Sequence, residues 1–458
     1  MKIIILGAGR VGTSLAQHLA FEGNDITLVD TDQARLMALQ EEMDIQTLCA
    51  HGAHPSTLLA ANAEAADMLI AVTQSDEVNM IACQIAHTLF KTPLKIARIR
   101  STEYTQHTDL YSGQAIPIDV LISPEQIITT LICQLIEYPD ALQVLSFSQG
   151  LVKLVALKVK ETGELCDKPF SAFFNLPLSQ KASFLGLYRQ GLYEEPDPNG
   201  IAEPNDIIYF LTTTEYVSPL IHLWHPIHEA GQRVIIAGGG NVGKRCSEQL
   251  NENYQVKMIE KSDARAQYLA ENLHNTLVLK GDATDKTLLL EADIESSDIY
   301  CALTQVDEAN ILSALLAKKL GAKKVMALIN NPAFVDIMEN SQIDHIISPQ
   351  EATIGNLLTH IRRGDVVNVY SLAHGAAEAI EGIVHGTAET SRLVGKSVAD
   401  IELPKGSQLG AIIRQQRCII PPTAEIKIQE NDRVIFFLSH RESITDIEKL
   451  FQIETVEL

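Results

Sequence analysis

The sequence states one pattern twice. IILGAGRVG at residues 4–12 and AGGGNVGKR at 237–245 each place a glycine-rich loop directly after a short apolar run. Apolar positions at four-residue spacing follow both loops: Val11, Leu15 and Leu19 after the first, Val242, Cys246 and Leu250 after the second. This predicts a strand, a tight turn and an amphipathic helix at both places. The pairing continues in order, Gly7 with Gly238, Asp30 with Glu260, Gly52 with Gly281, Asp76 with Asp307, Asn79 with Asn310 and Ser123 with Ser348, at separations of 225 to 231 residues. A repeat of that length restricts the fold to two copies of one unit in tandem.

Inside each copy, short continuous apolar runs pair across the halves: 26–29 with 256–259, 68–72 with 298–303, and 96–99 with 325–329. Helical segments such as 80–86 and 311–317 separate them. That is the pattern of parallel strands buried on both faces, so the fold class is α/β with two Rossmann-like, doubly wound parallel-sheet domains. Residues 142–211 and 368–439 change character, carrying alternating, β-rich segments with turn chemistry; EPNDIIYFL (203–211) and QENDRVIFFL (429–438) show a turn and then a strand in both. Each Rossmann-like unit is therefore followed by a smaller α+β subdomain. The expected division is 1–138 and 230–366 for the nucleotide-binding domains, 139–229 and 367–458 for the C-terminal subdomains.

Composition excludes several classes. Over 458 residues the net charge is −22, which argues against a protein that holds nucleic acid along a broad surface. No apolar run reaches the roughly 18 residues needed to cross a bilayer, and MKIIILGAG is a poor signal peptide, so a cytoplasmic protein is expected. The seven cysteines, at 49, 83, 133, 166, 246, 301 and 418, form no CxxC pair and suggest neither a zinc finger nor a disulfide framework. His222, His225 and His228 lie in the stretch 215–233 between the halves; Pro226 interrupts the helix that would align them on a metal, and a solvated linker is expected there.

The glycine loops have the full context of a dinucleotide fingerprint. The first glycine permits the turn, the second lets backbone approach a pyrophosphate, the third lets helix and strand pack, and the helix N-terminus faces the phosphates. Asp30 and Glu260 each end the next strand, where a carboxylate can accept from a ribose diol and would repel a 2′-phosphate; NAD is preferred to NADP, less firmly where Lys261 adjoins Glu260. TQSDEVN (73–79) and TQVDEAN (304–310) follow the fourth strands at the edge where doubly wound folds bind ligands. Thr73 and Thr304 could touch ribose or phosphate, while Asp76, Glu77, Asp307 and Glu308 suit either a ligand or helix capping. An NAD-linked oxidoreductase is the competing reading, but no acid–base set appears twice: His51 and His54 meet Lys280 and Ala283 in the other half.

The segments ILGAGRVG, ITLVDTD, AVTQSDEVNM, RIRS, PIDVLISPEQ, LIEYPDALQV, AGGGNVG, GDATD, DEANI, GAKKVM, ISPQEATI and AEAIE occur in family order. With them the chain resembles the TrkA group of the regulator-of-potassium-conductance (RCK, or KTN) family over nearly its whole length. The resemblance implies a cytoplasmic, non-enzymatic regulatory subunit at the inner face of the membrane. Four copies would form a ring under a Trk-type potassium-translocating membrane subunit, with no catalytic or metal site. NAD+ or NADH and the adenine nucleotides ATP or ADP would be its ligands. Carried over by position, the first site comprises Gly7, Ala8, Gly9, Arg10, Val11, Asp30, Thr73, Gln74 and Arg98. The second comprises Gly238, Gly239, Gly240, Asn241, Val242, Glu260, Gly281, Asp282, Thr304 and Gln305. The sites are not copies: Arg10 becomes Asn241, Arg98 meets Ala327, and HGAH (51–54) becomes KGDA (280–283). The first is expected to take the more negatively charged ligand, unless Arg10 points to solvent.

Overall fold

The structure, a computed structural model, describes residues 1–111, 115–225, 233–338, 341–361, 366–372, 377–440 and 443–452. The chain begins with β1 (Lys2–Leu6), α1 (Arg10–Phe21), β2 (Asp25–Asp30), α2 (Gln33–Glu42), β3 (Gln46–Cys49), α3 (Pro55–Ala60), β4 (Met68–Ala71), α4 (Asp76–Ile85), β5 (Leu94–Arg98), α5 (Thr102–Thr105), β6 (Val120–Ile122) and α6 (Pro124–Glu137). The strands form a parallel sheet in the order β3-β2-β1-β4-β5-β6. Chain direction across the sheet reverses between β1 and β4, which opens a crevice at the carboxyl ends of those strands. Ile3, Ile4, Ile5 and Leu6 are all buried because helices cover both faces.

An antiparallel sheet follows, built from β7 (Ala141–Phe147), β8 (Val152–Lys158), β9 (Ala182–Arg189), β10 (Leu192–Glu194) and β11 (Ile207–Thr213), with α7 (Ser171–Phe174) before β9 and α8 (Val217–Trp224) after β11. The second half repeats the plan. It runs β12 (Arg233–Ala237), α9 (Asn241–Leu250), β13 (Gln255–Glu260), α10 (Asp263–Asn272), β14 (Thr276–Lys280), α11 (Lys286–Glu291), β15 (Ile299–Ala302), α12 (Asp307–Lys319), β16 (Lys324–Leu328), α13 (Pro332–Met338), β17 (His345–Ile347) and α14 (Pro349–Thr359). Then come β18 (Val366–Leu372), β19 (Ala377–Ile383), β20 (Ser407–Arg414), β21 (Arg417–Ile419), β22 (Arg433–Leu438) and α15 (Ile444–Leu450). Element for element the antiparallel orders agree, β10-β9-β11-β8-β7 and β21-β20-β22-β19-β18. The α/β expectation therefore holds in both halves.

Two strands per parallel sheet go beyond the apolar runs. β3 and β14 are half-exposed edge strands, without the continuous burial that marks an inner strand, and β6 and β17 have three residues each. The stretch expected to be a solvated linker is also different. Val217, Leu220, Ile221 and Trp224 of α8 are buried in the first antiparallel core, with the indole against Phe170 and Phe210. An apolar face at helical spacing was available to a core, and the sheet took it. His225 is buried too, its Nε2–H donating to the Lys158 carbonyl at 2.8 Å, while Pro226 and His228 lie outside the described residues. Among the described residues no group of three or more potential ligands could hold a metal, and no helix is long and apolar enough to cross a membrane.

The halves exchange helices. Ile354, Leu357 and Leu358 of α14 enter the core of the first parallel sheet beside α1, and Ile128, Ile132 and Leu135 of α6 enter the core of the second beside α9. The antiparallel sheets pack on one another through Phe147, Leu154, Leu185 and Leu211 against Ala379, Ile413, Ile435 and Phe437. Tyr370 adds a hydroxyl bond of 2.9 Å to the Ser146 carbonyl.

Where the first antiparallel unit meets the second parallel one, His345 is buried with Nε2 3.3 Å from the Pro139 carbonyl. Burial outweighs that bond and holds its pKa down at about 4, so the folded ring is neutral. The unfolded ring protonates near its ordinary value of about 6.5. Between those values the unfolded chain binds more protons, so the stabilisation is present above pH 6.5 and is lost as pH falls toward 4. Denaturant titrations at pH 7 and about 4.5 should show a loss of about 2 kcal/mol from this group, absent in His345→Gln.

Candidate functional site

Each glycine loop is shaped by its first and third glycines. Gly7 and Gly238 adopt φ of +105° and +110°, in the region that favours glycine. A Cβ on Gly12 would lie 1.8 Å from the Gly7 carbonyl oxygen, and one on Gly243 would lie 2.0 Å from that of Gly238. The third glycine thus serves closure of the loop upon itself. The second glycines differ: a Cβ on Gly9 or Gly240 would meet nothing within 4 Å. That open space is what a phosphate over the helix N-terminus requires.

The acids at the ends of β2 and β13 hold the loops. Asp30 accepts from the amides of Ala8 (2.6 Å) and Asp32 (2.9 Å), and Glu260 accepts from those of Gly239 (2.8 Å) and Ser262 (2.7 Å). Leu269, and after it Glu260, leave no room for a side chain at Gly239. A Cβ at Gly239, where the first half has Ala8, would stand 2.2 Å from Leu269 Cδ1 and 3.0 Å from Glu260 Oε2.

Above the first loop lies a cleft of about 630 Å³, within the usual size of small-ligand sites. Gly7, Gly9, Arg10, Val11, Asp30, Thr73, Gln74 and Arg98 all line it, and Ala8 lies just beneath, buried with its amide on Asp30. Sequence reasoning missed much of the wall, including Arg35 and Arg100 from the first half and Asn330, Pro349, Gln350 and Thr353 from the second, and it weighed His51, which also lines the cleft, only as an acid–base candidate. Arg35 was detectable, since Arg265 repeats it five residues after the paired acid. Gln350 and Asn330 were not, because only the packing of the second half on the first brings them to the cleft.

The cleft carries four guanidinium groups, Arg10, Arg35, Arg98 and Arg100, against two carboxylates, Asp30 and Asp32. Arg10 is exposed, and its Nη1 donates to the Asn330 carbonyl across the halves at 2.8 Å. Burial, and then the adjacent Arg100 charge, hold Arg98 below the usual arginine value, and its Nε is buried with no partner among the described residues. Gln350 spans the halves through Nε2 to the Ser14 hydroxyl at 2.7 Å, while its Oε1 is buried and unpartnered. Unmet polar atoms beneath an excess of positive charge fit a polar, anionic ligand.

The TQxDExN motif proves to be a brace. Buried Asn79 accepts from the Thr73 amide (3.0 Å) and hydroxyl (2.7 Å) and donates to the Arg98 carbonyl (2.8 Å). Asn310 does the same for Thr304 (2.9 and 2.7 Å) and the Leu328 carbonyl (2.8 Å). Each threonine hydroxyl has two acceptors within its own loop, the asparagine oxygen and the carbonyl two residues on (Ser75 at 3.2 Å, Val306 at 3.3 Å). Asp76 accepts from the amides of Arg100 and Ser101, and Asp307 from those of Asn330 and Asn331, so both tie down the next loop; Ser75 is the N-cap of α4.

This brace corrects the sequence pairing. Arg98 corresponds to Leu328, not Ala327, because Ala97 and Ala327 occupy the equivalent sheet positions and the helix–strand connection is one residue longer in the first half (19 residues from Asn79 to Arg98, 18 from Asn310 to Leu328). By the same brace Arg100 corresponds to Asn330. Three arginines of the first cleft are thus Asn241, Leu328 and Asn330 in the second half. There Gly238 to Val242, Glu260, Gly281, Asp282 and Thr304 gather at the carboxyl ends of β12 to β15, with Gln305 exposed beside them. Asp282 is engaged by Lys261 at 2.8 Å, then by Thr284, which together lower its carboxyl to about 2. Lys261 is thereby drawn toward Asp282 and not toward Glu260.

Comparison with known proteins accords with this architecture. Residues 3–124 and 234–349 match the model of the TrkA-N domain, and 387–452 match that of the TrkA-C domain. The Trk system potassium uptake protein TrkA of Halomonas elongata is 48% identical over 453 residues, spanning 99% of each chain. That of Haemophilus influenzae is 44% identical with the same coverage. Among solved structures, the GsuK RCK domain superposes with a TM-score of 0.60 at 18% identity, over 98% of this chain and 94% of that one. The GsuK channel bound to NAD gives 0.61 at 18%, over 98% and 78%. Both share the fold.

Proposed function

The chain belongs to the TrkA family of Trk system potassium uptake proteins, and on that footing we propose that it is a nucleotide-binding regulatory subunit of such a system. The arginine-walled cleft over the first glycine loop carries the reading. A nucleotide lying across β1 would place a ribose at Asp30, a pyrophosphate over Gly9 at the N-terminus of α1, and its charge against Arg10, Arg98 and Arg100. NAD+ or NADH and ATP or ADP are the ligands we assign. The first site takes the more highly charged of them. The second, where Asn241, Leu328 and Asn330 replace the arginines, takes the less charged.

The regulatory step follows from where the cleft's roof comes from. Asn330, Gln350 and Thr353 belong to the second half, so a ligand held in the first site touches both halves. Its affinity must differ between arrangements that keep or open that roof, and only such a difference can bias one shape over another. In our reading those shapes are passed to a Trk-type potassium-translocating membrane subunit by a homotetramer lying on its cytoplasmic face. The working units are 1–138, 139–229, 230–366 and 367–458.

Calorimetry on the purified chain tests the assignment. Two classes of nucleotide site per chain are expected, the first lost in Asp30→Ala and the second in Glu260→Ala. Failure of any nucleotide to bind would overturn the reading, and oxidation of NADH coupled to a carbonyl substrate would replace it with an oxidoreductase.

A further inference from the structure

The two antiparallel sheets share one strand order, yet the faces on which they pack carry different residues. β9 and β20 hold the same place in their sheets and cross at this contact, where Gln408 Nε2 donates to the Phe184 carbonyl at 3.0 Å. Leu185 and Gly410 are equivalent, 225 residues apart, as are Arg189 and Arg414, which pair with Asp206 and Asp432 in the two sheets. They also meet: a Cβ on Gly410 would stand 3.0 Å from Leu185 Cδ2 and closer still to Leu211 Cδ1. A large residue on one sheet fills the space that a missing side chain leaves on the other.

A second asymmetry lies on the same face. Glu381 of β19 is fully buried. Its carboxylate accepts across the halves from the Ser148 hydroxyl and amide (the amide at 3.2 Å), and within its own sheet from Asn368 and from Arg433 Nη1 at 3.3 Å. By the strand registers Glu381 corresponds to Ala156 and Arg433 to Ile207, so the first sheet closes the same positions with apolar residues. Ser148, one residue past the end of β7, corresponds in sequence to Ala373. A buried carboxylate is tolerated only while its donors are in place.

We propose that this face selects its partner: the first antiparallel sheet fits the second, and neither fits the same sheet of a second copy of the chain. Two second sheets would set glycine against glycine, leaving a void, and Glu381 against Ala373, which lacks the hydroxyl. Two first sheets would set Leu185 against Leu185 in space sized for one. Shape and charge both reject the like partner. However many chains assemble, each first sheet then lies on a second, which keeps the two kinds of half in one-to-one contact. The inference does not depend on nucleotide binding.

Ser148→Ala gives Glu381 the residue that a like partner would present. In the full chain it should lower the folding constant roughly tenfold or more, as loss of a bond to a charged group does. In a Glu381→Ala/Arg433→Ile chain, which carries the first sheet's residues, the same change should cost no more than about twofold. Glu381→Gln, which keeps the shape and drops the charge, supplies a second background in which the cost should shrink. Partner choice is read with a benzophenone amino acid in place of Tyr370, whose hydroxyl lies at the Ser146 carbonyl. Unlabelled and isotope-labelled full chains are refolded together and irradiated. Parent adducts should fall on residues 146–147. A like pair would put them on 371–372 of the differently labelled chain, and these should appear once Glu381 and Arg433 are replaced. Three results would overturn the proposal: such adducts in the parent, none in the double replacement, or an equal cost of Ser148→Ala in every background. The second would mean that the tether between the halves, and not the face, chooses the partner.

Discussion

Converting the first cleft to the residues of the second, by Arg10→Asn, Arg98→Leu and Arg100→Asn together, is expected to weaken ATP binding at the first site about 100-fold. Charge-assisted hydrogen bonds contribute roughly 1.5–3 kcal/mol each, and two lost at the low end total about 3 kcal/mol, a little over two factors of ten. NAD carries less charge and should lose about tenfold. The guanidiniums lie close together, so the single substitutions should not add, and Arg98→Leu should be the largest because burial already holds that group below the usual arginine value and its buried Nε has no partner among the described residues. Calorimetry at fixed salt measures all of this, since screening alone shifts such affinities. Equal losses for ATP, ADP and NAD would mean that the arginines hold the loop's shape and not the phosphates.

The second large effect separates folding from binding within one loop. Gly12→Ala would drive a Cβ against the Gly7 carbonyl at 1.8 Å, and backbone on both sides must move. A loss of about 3 kcal/mol or more is expected, at the upper end of overpacking costs. Gly9→Ala is the contrast. Gly9 has φ of −71°, which alanine adopts freely, and its Cβ would meet nothing within 4 Å. Stability should change by about 0.5 kcal/mol or less, as at an open site. Nucleotide affinity should fall sharply, because the added methyl occupies the approach to the helix N-terminus. Denaturant midpoints and calorimetric affinities on the two variants give a crossed pattern; if Gly9→Ala bound nucleotide as the parent does, the phosphate position assigned here would be wrong.

Much of this was legible in the residues. The duplicated glycine loops, the acids that end β2 and β13, and the continuous apolar runs of the inner strands each obey a local rule: turn geometry, hydrogen bonding and period. The edge strands β3 and β14 escaped because an edge has one covered side and so no continuous apolar run. The apolar face of α8, formed by Val217, Leu220, Ile221 and Trp224, is interleaved with polar residues and followed by histidine and proline, so the stretch reads as a linker although it buries a full stripe. TQxDExN was recognised as a site-edge motif, but its asparagine was not seen as the brace. The partners it joins, Thr73 with the Arg98 carbonyl and Thr304 with the Leu328 carbonyl, lie on different strands.

By itself the sequence determined the repeat, the parallel-sheet class, and the difference between Arg10 and Asn241 at the two loops. Those are statements about neighbours along the chain, where period and residue chemistry act directly. The tertiary structure alone decided that the sites are not self-contained. α14 crosses to the first sheet and α6 to the second, because each offers an apolar stripe that its own sheet does not cover. That exchange carries Gln350 and Thr353 to the first cleft and seats Ile128, Ile132 and Leu135 in the core of the second sheet. Contacts between residues more than a hundred positions apart depend on which surfaces remain to be buried after each unit has folded, and no local pattern records that.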